Sequence, residues 1–482
     1  MTNDTRHPKR SGALAALSLP ILMASLDTSI ANTALPTLAH AFGASFPAVQ
    51  WIVLSYLLAI TTLLVSVGRL GDRLGRRRLL MTGIALFTLA SLACGMASTL
   101  PALLVARAAQ GLGAAIMLAL SLALVGETVP REQTGRAMGL LGTMSAVGTA
   151  FGPTLGGLLV AGFGWRALFL VNVPIGLLNL ALVARDLPAD RRESRDAHVG
   201  LDPAGTALLA TTLGAYALAM TFERGGSGAL RLTLLVAALV GATLFALVES
   251  RVSAPLIPVA MLRDRTLSAG LVASAIVSTV IMSTLVVGPF HLTRGLGLPA
   301  ALAGVMLSIG PVVVALSGVP AGRLADRFGT RRTSVAGLGA MATGSLALAL
   351  LPVSLGVAGY VLPIVVLTAG YAVFQTANNT AVMSGVGADR RGTISGLLNL
   401  SRNLGLITGA SLMGAVFAFG AGGDGITRAS AGAVARGMHT TFAVAAGLLV
   451  SALAISRAGW AATHDSSTPR TEGGTPHTSH RS

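Results

Sequence analysis

The sequence predicts an all-α membrane protein of 14 spanning helices, built as two six-helix bundles with two further helices inserted between them. Three observations carry that prediction. Apolar runs near 20 residues recur along a 482-residue chain that is 53% hydrophobic and 11% charged. The arginines fall in alternate loops, as the positive-inside rule requires of successive crossings. And the stretch "GRLGDRLGRRR" at residues 68–78 returns as "GRLADRFGTRR" at 322–332, 254 residues later.

About 20 apolar residues in a helix cross the ~30 Å hydrocarbon core of a bilayer. Inside lipid the backbone must satisfy its own hydrogen bonds, which makes these runs helices. Strand-like alternation is absent, so a membrane barrel is not expected. The runs place helices at 12–38, 48–69, 79–98, 101–125, 137–161, 166–184, 203–222, 230–249, 267–290, 299–321, 333–352, 358–383, 393–420 and 439–458. Arg6, Lys9 and Arg10 precede the first run, which is too long for a cleaved signal core and lacks a small-residue cleavage site. It reads as helix 1, with both chain termini on the cytoplasmic side.

The net charge of +16 invites a nucleic-acid reading until the charges are placed. The segments assigned to the cytoplasm hold 26 Lys and Arg, and the outside loops hold 6: Arg166, Arg224, Arg231, Arg294, Arg428 and Arg436. Arg107 and Arg402 fall inside helices. This bias is the positive-inside rule, so the charge is topological and no nucleic-acid partner is expected. Lys9 is the only lysine, which removes any Walker A loop and with it P-loop binding of ATP. Cys94 is the only cysteine, so no internal disulfide or cysteine metal site is possible. The histidines show no ligand spacing, and neither metal nor cofactor is expected. Trp51, Trp165 and Trp460 sit at predicted helix ends as interfacial anchors.

The repeat divides the chain. Gly135, Gly139, Gly148 and Gly152 recur as Gly392, Gly396, Gly405 and Gly409, each offset by 257. Helices 1–6 therefore correspond to helices 9–14, with helices 7 and 8 as an insertion. The predicted units are a cytoplasmic N-terminus (1–11), an N-terminal bundle (12–184), a linker with the inserted pair (185–266), a C-terminal bundle (267–458) and a Ser/Thr-rich disordered tail (459–482). Parallel halves about an axis along the membrane normal form a transporter architecture, with the substrate site between them near the midplane.

Four motifs add detail. After helix 2, Gly68, Asp72, Arg73, Gly75, Arg76 and Arg77 match G-x-x-x-D-R-x-G-R-R. Helix 1 carries "LDTSIANTALPTL" (26–38), helix 4 "RAAQGLGAA" (107–115) and helix 5 "GTAFGPTLGG" (148–157). Helix 7 ends in "TFERGG" (221–226). In these motifs the chain resembles the major facilitator superfamily, and within it the fourteen-helix drug:proton antiporter family, over roughly residues 12–460. The resemblance implies a major facilitator fold and no enzyme activity. It implies a carrier in the inner membrane that exports amphipathic or cationic drugs or antibiotics by alternating access, in exchange for protons. Its partners would be the lipid bilayer, protons and that small substrate. Asp72 would cap helix 13 near Thr393 with its carboxylate at the positive helix end, and Arg73 would bridge to Glu127 or Glu132. These contacts would latch the cytoplasmic side. The second copy, with Asp326 and Arg327, has Ala325 for Gly71 and Thr330 for Arg76, and is the weaker latch.

Asp27 is the one clearly intramembrane acid, a placement that costs roughly 2.5–3.5 kcal/mol on insertion scales and so marks function. It reads as the proton-coupling or cation-recognising group, against the plainer role of a neutral acid in a helix contact. Arg107 reads as the base that tunes Asp27, or that neutralises a polar cluster with Gln110 and Asn32. Gly148, Gly152, Gly156 and Gly157 make a small-residue packing face and Pro153 kinks it. Such a face seals helix 5 against its partner helix in the other half. Tyr56, Gln375, Asn378, Asn379, Asn399 and Asn403 complete the candidates for the cavity wall. Two other readings share these residues: transport of an endogenous metabolite or siderophore in either direction, and a non-transporting sensor or scaffold.

Overall fold

A computed structural model describes residues 10–128, 134–188, 190, 203–221, 228–251, 261, 263–383, 391–422 and 429–465. Among these residues 14 helices are long and apolar enough to cross a membrane, and no strand occurs. They are α1 Arg10–Thr33, α2 Phe46–Leu74, α3 Arg76–Met96, α4 Leu100–Thr128, α5 Thr134–Phe163 and α6 Ala167–Asp186. The inserted pair is α7 Pro203–Thr221 and α8 Gly228–Glu249. The second half is α9 Arg265–Gly295, α10 Ala300–Phe328, α11 Thr330–Leu350, α12 Val353–Met383, α13 (391–420) and α14 Ala431–Asp465.

Three local departures have physical causes. The first expected helix breaks at Ala34, and a short helix, Leu35–Phe42, follows with proline in its first turn. Proline lacks the N–H that a continuous helix would use, but at a new helix start that N–H is not needed. The repeated arginine motif is not an extended loop. In both copies one helix ends, a single glycine turns the chain, and the next helix starts. The glycines are Gly75 at φ 94° and Gly329 at φ 80°, in the left-handed region where a Cβ is strained. Finally, α9 closes in a π turn, His291–Gly295, and α13 contains another, Gly409–Met413.

The two halves pack alike. α1 lies on α5 and α6, and α3 and α2 lie on α4; α9 lies on α13 and α14, and α11 and α10 lie on α12. α7 packs against α2, where Trp51 Nε1 donates to Thr221 Oγ1 at 2.9 Å, and α8 packs on α7. Outward-facing side chains such as Leu239 on α8, Val105 and Leu316 are 69–73% exposed and apolar, as a lipid-facing surface requires. The helices alternate so that one membrane boundary collects Arg73, Arg76, Arg77, Arg78, Arg185, Arg323, Arg327, Arg331, Arg332 and Arg457. We call it the arginine-rich end and the other boundary the opposite end.

Two seams join the halves, both nearer the opposite end. In the first, Thr154 of α5 meets Ser308 of α10, hydroxyl to hydroxyl at 2.7 Å. In the second, Gln50 Nε2 of α2 donates to the Ala410 carbonyl in the π turn of α13 at 2.5 Å. The offsets of the repeat make the seams internal copies: Pro153 pairs with Ala410, Gly157 with Gly414, and Gly304 with Gln50. Space at the seams is spent to the last methyl. A Cβ on Gly304 would run into the Pro153 carbonyl, one on Gly157 into the backbone of Ala300, and one on Gly414 into Gln50. Beside them Phe46, Phe290 and Phe417 close a ring trio with centroids 5.0–6.2 Å apart. Toward the arginine-rich end, Gly142, Gly318, Gly322 and Gly396 face open space.

Candidate transport site

The polar centre of the first half is assembled from five helices. Arg107 and Gln110 stand one turn apart on α4 and so share a face. Glycines in the same motif admit α4 between its neighbours: a Cβ on Gly111 would strike the backbone of Tyr56 on α2, and one on Gly113 the backbone of Phe87 on α3. That close approach brings Ser91 and Cys94 of α3, Tyr56 of α2, Asp27 of α1 and Asn172 of α6 around one point.

Asp27 and Arg107 are 1% and 0% exposed. Arg107 Nη1 donates to Asp27 Oδ2 at 2.5 Å, and Asp27 Oδ1 accepts from Gln110 Nε2 at 2.8 Å and from Asn172 Nδ2 at 2.9 Å. Arg107 is held in turn. Its Nη1 reaches Gln110 Oε1 at 2.6 Å, its Nε donates to the Ile52 carbonyl at 3.0 Å, and its guanidinium lies 4.3 Å over the Tyr56 ring. Gln110 Nε2 also donates to Ser91 Oγ at 2.8 Å, and the Cys94 thiol to Gln110 Oε1 at 3.7 Å. A buried ion pair recovers its desolvation cost only when the remaining polar atoms are also satisfied. Here three donors hold one carboxylate and one guanidinium balances its charge, while Arg107 Nη2 is buried without a hydrogen-bond partner.

The sequence candidates separate in the structure. Gln110 and Tyr56 join Asp27 and Arg107; the Tyr56 hydroxyl donates to the Ala24 carbonyl at 3.3 Å. Asn32 is buried one turn beyond and donates to its own helix at Thr28 O, 2.9 Å. Asn378 is a contact between α12 and α9, donating to the Gly270 carbonyl at 3.2 Å. Gln375, Asn379, Asn399 and Asn403 are half-buried on α12 and α13, away from that cluster's hydrogen bonds. On α5, Gly148, Gly152 and Gly156 face α1 within their own half, while Pro153 and Gly157 face α10. The kink has a use: Ser29 Oγ of α1 donates to the Thr149 carbonyl, which Pro153 leaves without its helical partner, at 3.1 Å.

In the arginine motif Arg73 and Arg76 are half-buried, whereas Asp326 and Arg327 are exposed. The surroundings of Gly68, Asp72, Glu127, Glu132 and Thr393, and so the expected latch, lie outside the described residues. Gly75 has a partner the sequence reading missed. The Asp190 carboxylate accepts from the N–H groups of Arg77 and Arg78 at 2.9 and 3.1 Å, capping α3, and it occupies the space where a Gly75 Cβ would stand. Arg77 Nη2 donates to the Ala184 carbonyl at the end of α6, 2.7 Å, so it does more than anchor the boundary. Asn172 and Gln50 were missed as well. Each is an amide inside an apolar run, which is the signal that marked Asn32 and Gln110. Among the described residues no group of three His, Cys, Asp or Glu side chains could hold a metal ion.

Two pseudo-equivalent helical halves, a second seam that copies the first and a buried intramembrane ion pair fit a secondary-transporter architecture. The chain belongs to the Major Facilitator Superfamily, whose family model matches residues 17–410. It is 34% identical over 418 residues to the multidrug resistance protein Stp of Mycobacterium tuberculosis, covering 84% of this chain and 75% of that one. It is 29% identical over 405 residues to the riboflavin transporter RibZ of Clostridioides difficile, covering 84% and 88%. Among solved structures it resembles a bacterial homologue of the lysosomal transporter Spinster, in an inward-facing and unoccupied conformation. There the TM-score is 0.70 at 17% identity, over 97% of this chain and 100% of that one. The protein is a multi-pass membrane transporter and not an enzyme.

Proposed function

We propose that the protein is a proton-coupled antiporter that exports amphipathic or cationic drugs or antibiotics. The observation that carries this reading is the Asp27 carboxylate. Among the described residues it is the one acid lying more than a turn from a helix end, and it is neutralised across the bundle by Arg107. A proton arriving on Asp27 releases Arg107, and the charge so freed changes which arrangement of the two halves is favoured. The positive-inside rule makes the arginine-rich end cytoplasmic, with both termini there and the chain in a bacterial inner membrane. On this reading the sealed seams face outward, and substrate enters from the cytoplasmic side. Outward opening breaks the seams. At the other end the motif residues Gly68, Asp72, Arg73, Gly75 and Arg76, with the second copy at Asp326 and Arg327, act as the latch. The polar residues Gln375, Asn378, Asn379, Asn399 and Asn403 line the second half's side of the path. One elementary charge moving through 100 mV is worth about 2.3 kcal/mol, which sustains a substrate gradient of roughly fiftyfold.

The name of the relative Stp favours drug export, and that of RibZ favours the second reading, carriage of an endogenous metabolite. Proteoliposomes carrying an outward-directed substrate assay under an imposed pH gradient test both. Uptake of cationic drugs that collapses with the pH gradient supports the first reading. Gradient-independent transport of a neutral metabolite, with no drug transport, replaces it with the second.

A further inference from the structure

The buried face of α6 is a stripe of Asn172, Gly176, Asn179 and Val183. One end of the stripe is at the ion pair, where Asn172 donates to Asp27 and keeps its own Oδ1 unpaired. The other end is at the arginine-rich boundary, where the Val183 carbonyl accepts from Arg77 Nε at 3.4 Å. Asn179 stands between, about 10 Å from Asn172 at a rise of about 1.5 Å per residue. It is 0% exposed, and neither its Nδ2 nor its Oδ1 makes a hydrogen bond. Native proteins pair buried amides almost without exception, so this one calls for a partner.

The neighbouring helices bring further polar atoms to the same place. α1 runs antiparallel to α6, with Gly12 against Asp186 and Asp27 against Asn172. That register sets Leu19 and Pro20 opposite Asn179. Pro20 has no N–H to give the Ala16 carbonyl. Ala16 is buried one turn after Gly12, on the face toward α6. A freed carbonyl and a freed amide therefore stand at one level between two helices without bonding each other. On α3, Thr88 Oγ1 occupies the space where a Gly176 Cβ would stand, which puts a hydroxyl in the interval between the two asparagines. The α1 residue at that level is Met23, an unbranched side chain that can swing aside.

We propose that Asn179 is a positioning residue for the proton of Asp27: it holds hydrogen-bonded water between α1, α3 and α6 and joins the ion pair to the arginine-rich end inside the first half, apart from the path between the halves. The proposal rests on the reading of Asp27 as the coupling group. Water is the ligand that suits a small buried place where several polar atoms converge. Here those atoms are Asn179 Nδ2 and Oδ1, the Ala16 carbonyl and Thr88 Oγ1. In the step itself the O–H bond of protonated Asp27 breaks and its proton passes to water. Each water takes one proton and gives another along the chain, and the carboxylate left behind returns to Arg107. The amides donate and accept hydrogen bonds throughout and are never protonated. The titratable groups bordering the route are Asp27, Arg107, Tyr56 and Cys94 at one end, and Arg77 and Asp186 at the other.

Two measurements on the full chain in liposomes test this. The first follows the infrared C=O band of protonated Asp27 after a downward pH jump, the band being assigned by its loss in Asp27→Asn. Asn179→Leu, which fills the place with an apolar side chain, should slow the band's appearance roughly tenfold or more. Asn179→Ser keeps a hydroxyl and room for water, and should stay near the wild-type rate. Equal rates in the wild type and the leucine variant overturn the proposal and leave the role of Asp27 standing. A wild type with no Asp27 band overturns the coupling reading, and this proposal with it. The second measurement is water-edited solid-state NMR of the nitrogen-15-labelled wild type, with the Asn179 side-chain amide identified by its loss in the serine variant. That amide should receive magnetisation from water well ahead of the amide of Asn378, which is buried and bonded to the Gly270 carbonyl. An Asn179 amide as dry as that of Asn378 overturns the proposal whatever the leucine variant does.

Discussion

The Asp27 carboxylate and the Arg107 guanidinium meet at 2.5 Å across 80 residues of chain, with both side chains wholly buried. Each is the other's neutralisation. Neither is replaceable by a neutral group without leaving a charge in a medium that does not tolerate one. This mutual dependence supplies the sharpest tests.

Asp27→Asn imitates a carboxyl that never loses its proton. Proton-driven export should fall at least tenfold in proteoliposomes, while substrate exchange without a gradient persists. Asp27→Glu should retain part of the activity, since the charge moves by one methylene. Undiminished proton-driven export by the asparagine variant would remove Asp27 from the coupling step.

Arg107→Met leaves the Asp27 carboxylate buried with two amide donors and no counter-charge. Removing one member of a buried pair costs about 3–5 kcal/mol, which should appear as a lowered unfolding temperature in detergent. Adding Asp27→Asn to Arg107→Met should restore most of that loss without restoring transport. Additive destabilisation in the double variant would mean that the two residues do not act as a pair.

At the seams, Gly304→Ala sets a methyl against the Pro153 carbonyl, and Gly414→Ala sets one against Gln50. Both should shift the population away from the state sealed at the opposite end. Spin labels placed on α5 and α10 at that end should report a longer mean distance in the variants. Gln50→Ala removes the hydrogen bond to Ala410 with no clash, and should produce a smaller shift in the same direction. Distances identical to wild type in all three would show that the seams do not set the equilibrium.

Gly75→Ala meets two penalties: a left-handed backbone, worth roughly 1–2 kcal/mol for a residue with a Cβ, and collision with Asp190. Gly329→Ala meets only the first, since its Cβ faces open space. The first variant should therefore lose more thermal stability than the second, and Asp190→Ala should narrow the difference between them. Equal losses at the two glycines would dismiss the Asp190 cap.

The helix count and the repeat were legible because both can be read along the chain without knowing which helices meet. An apolar run has a length, and Asp27 or Arg107 inside one is conspicuous. What the sequence hid depends on approach between distant helices. Gln50 becomes a seam residue only because α13 carries a π turn at Ala410. Arg77 was one arginine of the motif until α6 ended beside it, and Asp190 lay in a stretch read as linker. Asn172 had the right chemistry, but nothing near it in sequence told whether it faces α1 or lipid.

Cys94 is the chain's sole thiol, and it is buried with its hydrogen directed at Gln110, inside the cluster that holds Asp27. The unaltered protein therefore carries a built-in chemical clock. A small membrane-permeant maleimide can reach that sulfur only during the intervals when α3 and α4 part. Its labelling rate, followed by intact mass with no engineered cysteine, counts how often the protein opens at its charged centre. Compounds that occupy the centre can be recognised by how far they slow it.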